Sequence, residues 1–192
     1  MRKFKILLLN CAKKSDPNEA EFLSHFFTMM KVEDPENIDF QSVNVRTKKE
    51  LKEQLENTWP NIIHIAAHGD SECHPKGNRG KETSIEVGRG SINSREIEKL
   101  GENPLKLVFV SAYLNSYEDM ANAFLNRGAE KYIAPKTKVD WVHAALFSTM
   151  FYNRYVYKKP LLMLHLPLLE NIQNLERISQ NIGIHDVYFE VI

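Results

Sequence analysis

The sequence predicts an α/β domain of three layers, in which a mostly parallel sheet is covered by helices on both faces. Short runs of apolar, often β-branched residues alternate along the chain with segments of helical periodicity. The runs are apolar at successive positions, which is typical of strands buried on both faces of a parallel sheet. The 192 residues suffice for one hydrophobic core, so we expect a single domain over residues 1–192.

The composition is that of a folded protein rather than a disordered one. Hydrophobic residues make up 43% and charged residues 26% of the chain. No apolar stretch reaches the roughly 18 residues of a membrane span. The 25 basic and 25 acidic residues give a net charge of zero, which offers no general attraction for nucleic acid. The chain has two cysteines and no disulfide framework, so we expect it to be cytoplasmic. From the charge balance and the short apolar runs we expect it to bind neither nucleic acid nor membrane.

The first half of the chain contains three predicted strands, at residues 5–9, 40–45 and 61–67. The third is apolar on both faces except at His64.

Two helices are predicted between these strands. The first begins near Asp16 and Pro17, and Glu19 can complete its capping box. The residues predicted to share one face of this helix are Phe22, His25, Phe26 and Met29. A second capping box over residues 47–50 begins a helix that places Leu51 and Leu55 on one face.

The second half adds strands at residues 106–111 and 132–134, each followed by a helix. A polar, glycine-rich segment comes before them, and we expect a mobile loop over Gly69–Thr83 and then a small hairpin. Loops of this length in compact domains are usually functional or disordered. The tail is predicted to be helical from Pro160 and to end in a strand over residues 187–192.

Two strand ends carry residues suited to chemistry. Functional groups collect at the carboxyl ends of the strands in an open parallel sheet. The third strand ends in Ala67-His68-Gly69-Asp70 and the fourth in Ser111-Ala112-Tyr113. A histidine at such an end is placed for proton transfer, and the N–H of Gly69 can donate to a developing oxyanion. The alternative is that His68 is a turn residue bonded to the backbone.

Four blocks of sequence include these strand ends. They are NIIHIAAHGD, SIEVGRGSINSREIEKL, KLVFVSAYLNS and MANAFLNRGAEKYIAPKTKVDWVHAALFSTMFYNRYVYKKPL. In content, order and spacing they resemble the caspase-like cysteine peptidases, and within them the CHAT-domain group. The resemblance implies a caspase-like fold and peptide-bond hydrolysis by a cysteine–histidine dyad. It also implies that His68 is the catalytic histidine and Gly69 the oxyanion donor.

The chain departs from this family at the nucleophile. The family needs a cysteine just after the fourth strand, and that place holds Ala112 or Tyr113, depending on how the strand end is aligned. Alanine has no nucleophile, and a phenol with a pKa near about 10 is a poor substitute for a thiol. The chain as given is therefore predicted to be inactive. Two origins stay open: a peptidase whose cysteine was replaced by alanine at position 112, and a natural pseudo-peptidase that acts as a binding module.

Other reactive residues fit the pattern less well. Cys73 lies in the loop after His68 rather than on the opposing strand end, and no base partner is evident for Ser111 or Ser116. His68, Cys73 and His74 are of the types that bind zinc, but they supply three ligands in a glycine-rich loop. We predict no metal and no other cofactor.

Specificity depends on the residues around the predicted site. Asp140 follows the fifth strand, where the family builds part of its substrate pocket, and a carboxylate there would favour Arg or Lys before the scissile bond. The alternative is that Asp140 caps the helix that begins at Trp141. Asp70 either shapes the site or begins the loop.

The resemblance to prokaryotic CHAT-type proteins also implies partners. It suggests an effector of defence or programmed death that acts on a protein or peptide substrate. We expect an activating partner protein or a small-molecule signal to control it. A flavodoxin-like or receiver-like domain is disfavoured, because no phosphate-binding glycine-rich loop follows the first strand.

Overall fold

The computed structural model describes residues 3–13, 19–68, 83–112, 118–135, 139–156 and 189–191. In chain order the elements of these ranges are β1 (Phe4–Asn10), α1 (Glu19–Glu33), β2 (Ile38–Asn44), α2 (Lys48–Leu55), β3 (Ile62–Ala66), β4 (Ser84–Val87), β5 (Gly90–Asn93), α3 (Ser94–Glu98), β6 (Leu107–Ser111), α4 (Glu118–Asn126), β7 (Tyr132–Pro135), α5 (Trp141–Tyr155) and β8 (Phe189–Val191).

The main sheet has the strand order β2-β1-β3-β6-β7-β8. Its pairs are parallel except at the edge, where β8 runs antiparallel to β7. Strands β4 and β5 form the predicted small hairpin. The mostly parallel α/β architecture is therefore confirmed, as is a strand at the end of the tail.

Two core layers lie on opposite faces of this sheet. Helices α1 and α5 cover one face, which we call the α1/α5 face, and α2, α3, α4 and the hairpin cover the other. Strands β3 and β6 contribute side chains to both layers at alternating positions. A fully buried aliphatic or aromatic side chain stabilises the fold by about 1.5–3 kcal/mol, which is why the central strands are apolar at successive positions.

The start of α2 follows the sequence prediction, and the structure shows which residues of α1 are buried. Thr47 and Glu50 form the predicted capping box, and Leu51 and Leu55 of α2 are buried. In α1 the four residues predicted to share one face are not the buried ones, since Phe22 is 52% and Met29 61% exposed. The residues of α1 that are buried are Glu19, Ala20, Leu23, Phe27 and Met30.

The buried carboxylate of Glu19 lies on the side of α1 that packs against the sheet. It is buried against β3 and β6, and residues 23, 27 and 30 share its side of the helix. Phe27 then packs edge-on against Tyr152 of α5, with ring centroids 4.8 Å apart. The burial of Glu19 and the contact of Phe27 with Tyr152 therefore lie on the same side of α1.

Glu96 of α3 forms ion pairs with two lysines of α2. Its carboxylate lies 2.9 Å from the Nζ atom of Lys48 and 3.1 Å from that of Lys52. Hydrogen bonds from Lys48 and then Lys52, with the backbone N–H of Asn93, lower the pKa of Glu96 to about 2.

We predict that Glu96 makes stability sensitive to acid. A carboxyl whose pKa is lowered by folding stabilises the protein above its unfolded pKa of about 4.5, and this contribution is lost as the pH falls towards about 2. Because Glu96 is partly exposed, we expect about 1 kcal/mol. Urea unfolding at several pH values should show that Glu96→Gln removes this part of the acid dependence. Glu53→Gln is the control, because Glu53 pairs with Lys49 in an exposed i,i+4 contact at 3.8 Å. Equal acid dependence in the parent and Glu96→Gln chains would contradict the prediction.

Some predictions fall outside the structure's description. The expected mobile loop over Gly69–Thr83, apart from its last residue, and the expected helix from Pro160 lie outside the described residues. Within the described part of the chain, no helix is long and apolar enough to cross a membrane.

Candidate active site

The ends of β3 and β6 lie side by side. The two strands are paired in parallel, with Ile62 opposite Leu107 and Ala66 opposite Ser111. His68 follows two residues after Ala66, and Ala112 follows directly after Ser111. Because neighbouring strands lie about 4.8 Å apart, both segments leave the sheet at the same edge. The prediction that these two strands are adjacent and parallel is confirmed.

His68 is held by contacts to two other elements. Its main-chain carbonyl accepts a hydrogen bond of 3.0 Å from the N–H of Glu86 in β4. Its half-buried imidazole packs edge-on against Trp141 of α5, with ring centroids 4.9 Å apart and planes at 76°. These contacts restrict both the backbone and the ring of His68, as a proton-transfer residue requires.

A small cleft opens at this edge of the sheet. Its enclosed space is about 10 Å³, room for about one water molecule, and it is open to solvent at its mouth. The residues that line it are Ala67, Ser111, Ala112, Pro135, Val139, Trp141 and Ala144. They belong to the ends of β3, β6 and β7 and to the start of α5, so the cleft lies beside His68 and above the end of β6.

A buried polar network lies beneath the cleft on the α1/α5 face. Glu19 Oε1 is 2.5 Å from His64 Nε2, and Glu19 Oε2 accepts a hydrogen bond of 2.7 Å from Ser111 Oγ. His64 Nδ1 lies 3.1 Å from the hydroxyl of Tyr152. Burial and then the Glu19 carboxylate raise the pKa of Tyr152 well above its usual value, so the phenol stays protonated. The network joins α1, β3, β6 and α5.

Sequence reasoning missed this network. The pattern assigned Glu19 to a helix cap, whereas its two carboxylate oxygens contact His64 and Ser111 in the interior. Asp16, the other member of that expected capping box, lies outside the described residues. The signal that could have found the network is His64, because a polar residue in an otherwise apolar, doubly buried strand needs a buried partner.

Ala112 packs on the opposite face of the sheet from the network. It is 2% exposed and belongs to the core layer formed with α2, α3 and α4. Ser111 faces Glu19 of α1, and His68 contacts Trp141 of α5, so both of these side chains lie on the α1/α5 face. Ala112 therefore packs in the layer opposite the one that Ser111 faces, although it also borders the cleft. Tyr113, the other candidate for the nucleophile position, lies outside the described residues.

Comparison with solved structures identifies the architecture. No known family model matches the sequence, and no curated protein sequence matches it either. Separase from Saccharomyces cerevisiae, in its complex with securin, matches with a TM-score of 0.54 at 14% identity, over 100% of this chain and 12% of the separase chain. The Drosophila initiator caspase Dronc matches with a TM-score of 0.53 at 9% identity, over 97% of this chain and 78% of the caspase.

The chain has the caspase-like fold. At these identities the likeness concerns the fold alone, and the chain spans about an eighth of the length of the separase it matches.

In this caspase-like fold, Asp140 caps the helix that borders the cleft. Asp140 Oδ1 accepts a hydrogen bond of 2.9 Å from the N–H of His143, and Asp140 Oδ2 lies 2.6 Å from His143 Nδ1. The expectation that Asp140 caps the helix at Trp141 is confirmed. Its side chain is 59% exposed, and a role in substrate binding stays a prediction.

A second carboxylate, Asp119 in α4, binds the residues on either side of the β4–β5 hairpin, beside the site. It accepts hydrogen bonds from the N–H of Thr83 at 3.1 Å, the hydroxyl of Thr83 at 2.7 Å and the hydroxyl of Ser94 at 3.0 Å. Thr83 directly precedes β4, the strand that binds the carbonyl of His68. Asp119 therefore holds the end of the long loop against α4. Sequence reasoning missed this residue as well.

The remaining candidates are Cys11, possible metal ligands and several residues that lie outside the described ranges. Burial raises the pKa of the Cys11 thiol to about 12, so Cys11 is not a nucleophile at neutral pH. Within the described ranges, no group of three or more histidine, cysteine or acidic side chains is arranged to hold a metal ion. The predicted site residues that lie outside the described residues are Gly69, Asp70, Cys73, His74, Tyr113 and Ser116.

Proposed function

We propose that the chain is the scaffold of a caspase-like cysteine endopeptidase, which is inactive as given because the nucleophile position holds Ala112 or Tyr113. The observation that supports this most strongly is the parallel pairing of β3 with β6. With Ala66 opposite Ser111, it brings His68 and the segment after Ser111 to one sheet edge, beside the cleft. A cysteine–histidine dyad needs its two members on neighbouring elements in this way.

The proposed mechanism assigns one role to each residue. A cysteine thiolate at the nucleophile position would attack the carbonyl carbon of the scissile peptide bond. The N–H groups of Gly69 and of the nucleophile would donate to the oxyanion that forms. The protonated imidazole of His68 would then give its proton to the leaving amine, which leaves a thioester. Finally, His68 would take a proton from the water that hydrolyses the thioester.

The packing of Ala112 favours Tyr113 as the nucleophile position. A thiol at position 112 would replace a methyl group buried in the core layer on the far side of the sheet. Because β6 ends at Ser111 and position 113 lies outside the described residues, the burial of Ala112 counts against the alignment at Ala112 and leaves the alignment at Tyr113 as the alternative. Ala112 is retained as the second alignment, and both are tested together.

The substrate and the control of the proposed enzyme follow from the family resemblance. We propose a protein or peptide substrate, with Asp140 and Asp70 contributing to its recognition. An activating partner protein or a small-molecule signal would control the enzyme, as part of a cytoplasmic system of prokaryotic defence or cell death of the CHAT type. The separase that shares this fold is itself held in a complex with a protein, securin.

A natural pseudo-peptidase is the second candidate function. If Tyr113 occupies the nucleophile position, the missing cysteine was replaced by a bulky aromatic residue rather than by alanine. Such a change fits a natural binding module that uses the same cleft for a protein or peptide ligand. The two candidates differ in whether restoring the thiol restores chemistry.

Covalent labelling tests the proposed function. We expect a peptide probe with a thiol-reactive end group to label Tyr113→Cys strongly and Ala112→Cys less, and adding His68→Ala should remove the label. The thiols of Cys11 and Cys73 in the same chain are internal controls, compared by mass spectrometry of the digested protein. If neither introduced thiol is labelled faster than the thiol of Cys73, the result contradicts a peptidase site and favours the binding module.

A further inference from the structure

We propose that Glu19 is a positioning residue of this site, whose buried carboxylate bridges His64 and Ser111 and thereby fixes the ends of β3 and β6. This inference rests on the proposed function, because those strand ends carry His68 and the nucleophile position. It assigns a role in the site to a residue more than 40 positions from either strand in the sequence.

The carboxylate binds one group from each of the two strands. One oxygen contacts His64 Nε2 of β3, and the other accepts from Ser111 Oγ of β6. His64 Nε2 and the carboxylate of Glu19 share a proton in this contact. His64 Nδ1 pairs with the hydroxyl of Tyr152, which can donate or accept. Every side-chain polar group of the network therefore has a partner, which fixes a single arrangement.

The network lies at the end of the hydrogen-bonded ladder between β3 and β6. The parallel ladder of β3 and β6 ends at the pair Ala66 and Ser111. Beyond that pair the ladder no longer sets the distance between the strands. Ser111 is the last residue of β6, and its hydroxyl is tied to Glu19 at this point. His64 and His68 both face α5, because His64 contacts Tyr152 and His68 contacts Trp141.

A positioning role explains why this polar cluster lies in the interior. Burying a carboxylate carries a desolvation cost, and buried polar pairs often contribute no more stability than apolar residues of the same size. They do specify one geometry, because any shift of a strand leaves a buried donor without its acceptor. The cluster lies directly under the cleft, so the geometry that it specifies is that of the site.

The test uses a thiol introduced by Tyr113→Cys, with Ala112→Cys in parallel. Its alkylation by iodoacetamide is followed over pH by mass spectrometry and needs neither substrate nor activator. We expect Ser111→Ala and Glu19→Gln to slow alkylation at neutral pH by about tenfold and to raise the pH midpoint by about one unit. Ser111→Thr, which keeps a hydroxyl, should restore the midpoint.

Ser148→Ala is the matched control, because it removes a buried hydroxyl of α5 and leaves all four members of the network in place. It should leave the midpoint unchanged. An unchanged midpoint in folded Ser111→Ala, an equal shift in Ser148→Ala, or no rescue by Ser111→Thr would overturn the proposal. If Glu19→Gln does not fold, Ser111→Ala decides alone.

A second readout separates this inference from the proposed function. If His68→Ala does not move the midpoint, the proposed function fails, and amide hydrogen exchange in the parent background decides the role of Glu19. We expect Ser111→Ala to speed exchange at residues 111 and 112 by at least about tenfold relative to residues 107–109. Equal acceleration along all of β6 would indicate a general loss of stability and overturn the positioning role.

Discussion

A chain that carries Tyr113→Cys is expected to cleave peptide substrates at least about 10³-fold faster than the parent chain, since removing a nucleophile costs several orders of magnitude. The introduced thiol would lie at the edge where His68 leaves β3, and a thiol beside an imidazole ionises at neutral pH. Cleavage is measured by mass spectrometry of a peptide mixture, with and without cell lysate as a source of an activator.

Three further variants test whether the cleavage depends on the proposed cysteine–histidine dyad. Adding His68→Ala should abolish the cleavage. Adding His143→Ala should not, because His143 lies in α5 and pairs with Asp140. Ala112→Cys tests the second alignment, and we expect it to be less active because a misplacement of about 1 Å can cost about 10²-fold. If neither cysteine chain cleaves any peptide, with or without lysate, the binding-module function replaces the peptidase.

Glu19→Ala is expected to lower the free energy of unfolding by about 3–5 kcal/mol, because removing one member of a buried charged network leaves its partners unpaired. The change leaves His64 Nε2 and Ser111 Oγ without their acceptor in the interior. It also leaves a cavity between α1 and the sheet. Glu19→Gln should cost less, about 1–3 kcal/mol, because an amide can satisfy one of the two donors.

Urea unfolding monitored by circular dichroism measures both losses. Glu21→Ala is the matched control, since it is an exposed glutamate two residues further along α1, and it should change stability by no more than about 0.5 kcal/mol. A loss in Glu19→Ala no larger than that in Glu21→Ala would mean that the network contributes nothing to stability.

The fold was predictable because its signals are local. Continuous apolar runs at residues 61–67 and 106–111 mark strands buried on both faces, and such strands run parallel. Parallel strands present their carboxyl ends at one edge, so the proximity of His68 and Ala112 followed from the order of the elements. The capping box at residues 47–50 is likewise complete within four residues.

The parts of the site that escaped prediction depend on distant partners. Glu19 meets residues 45 and 92 positions away, and Asp119 meets Thr83 36 positions away. No spacing rule within a helix or a strand links such pairs. The burial of Glu19 and the exposure of Phe22 and Met29 likewise depend on how α1 packs on the sheet, which the sequence of the helix does not specify.

The alignment of the nucleophile position shows the same limit. The sequence leaves Ala112 and Tyr113 as the two possible nucleophile positions. Of these the structure describes Ala112, which lies in the core layer opposite the one that Ser111 faces. That alternation is fixed by the pleat of β6, but which face holds His68 depends on how β3 pairs with β6.

The most direct test of the account is the pKa of the thiol introduced by Tyr113→Cys, measured by the pH dependence of its alkylation with and without His68→Ala. His68 and the nucleophile position are proposed to share one site, and an imidazole close to a thiol lowers the thiol pKa by stabilising the thiolate. We predict that His68→Ala raises this pKa by at least about one unit, a tenfold change in thiolate at neutral pH. Identical pKa values in the two chains, at position 113 and equally at position 112, would contradict the central claim that the ends of β3 and β6 form a single cysteine–histidine site.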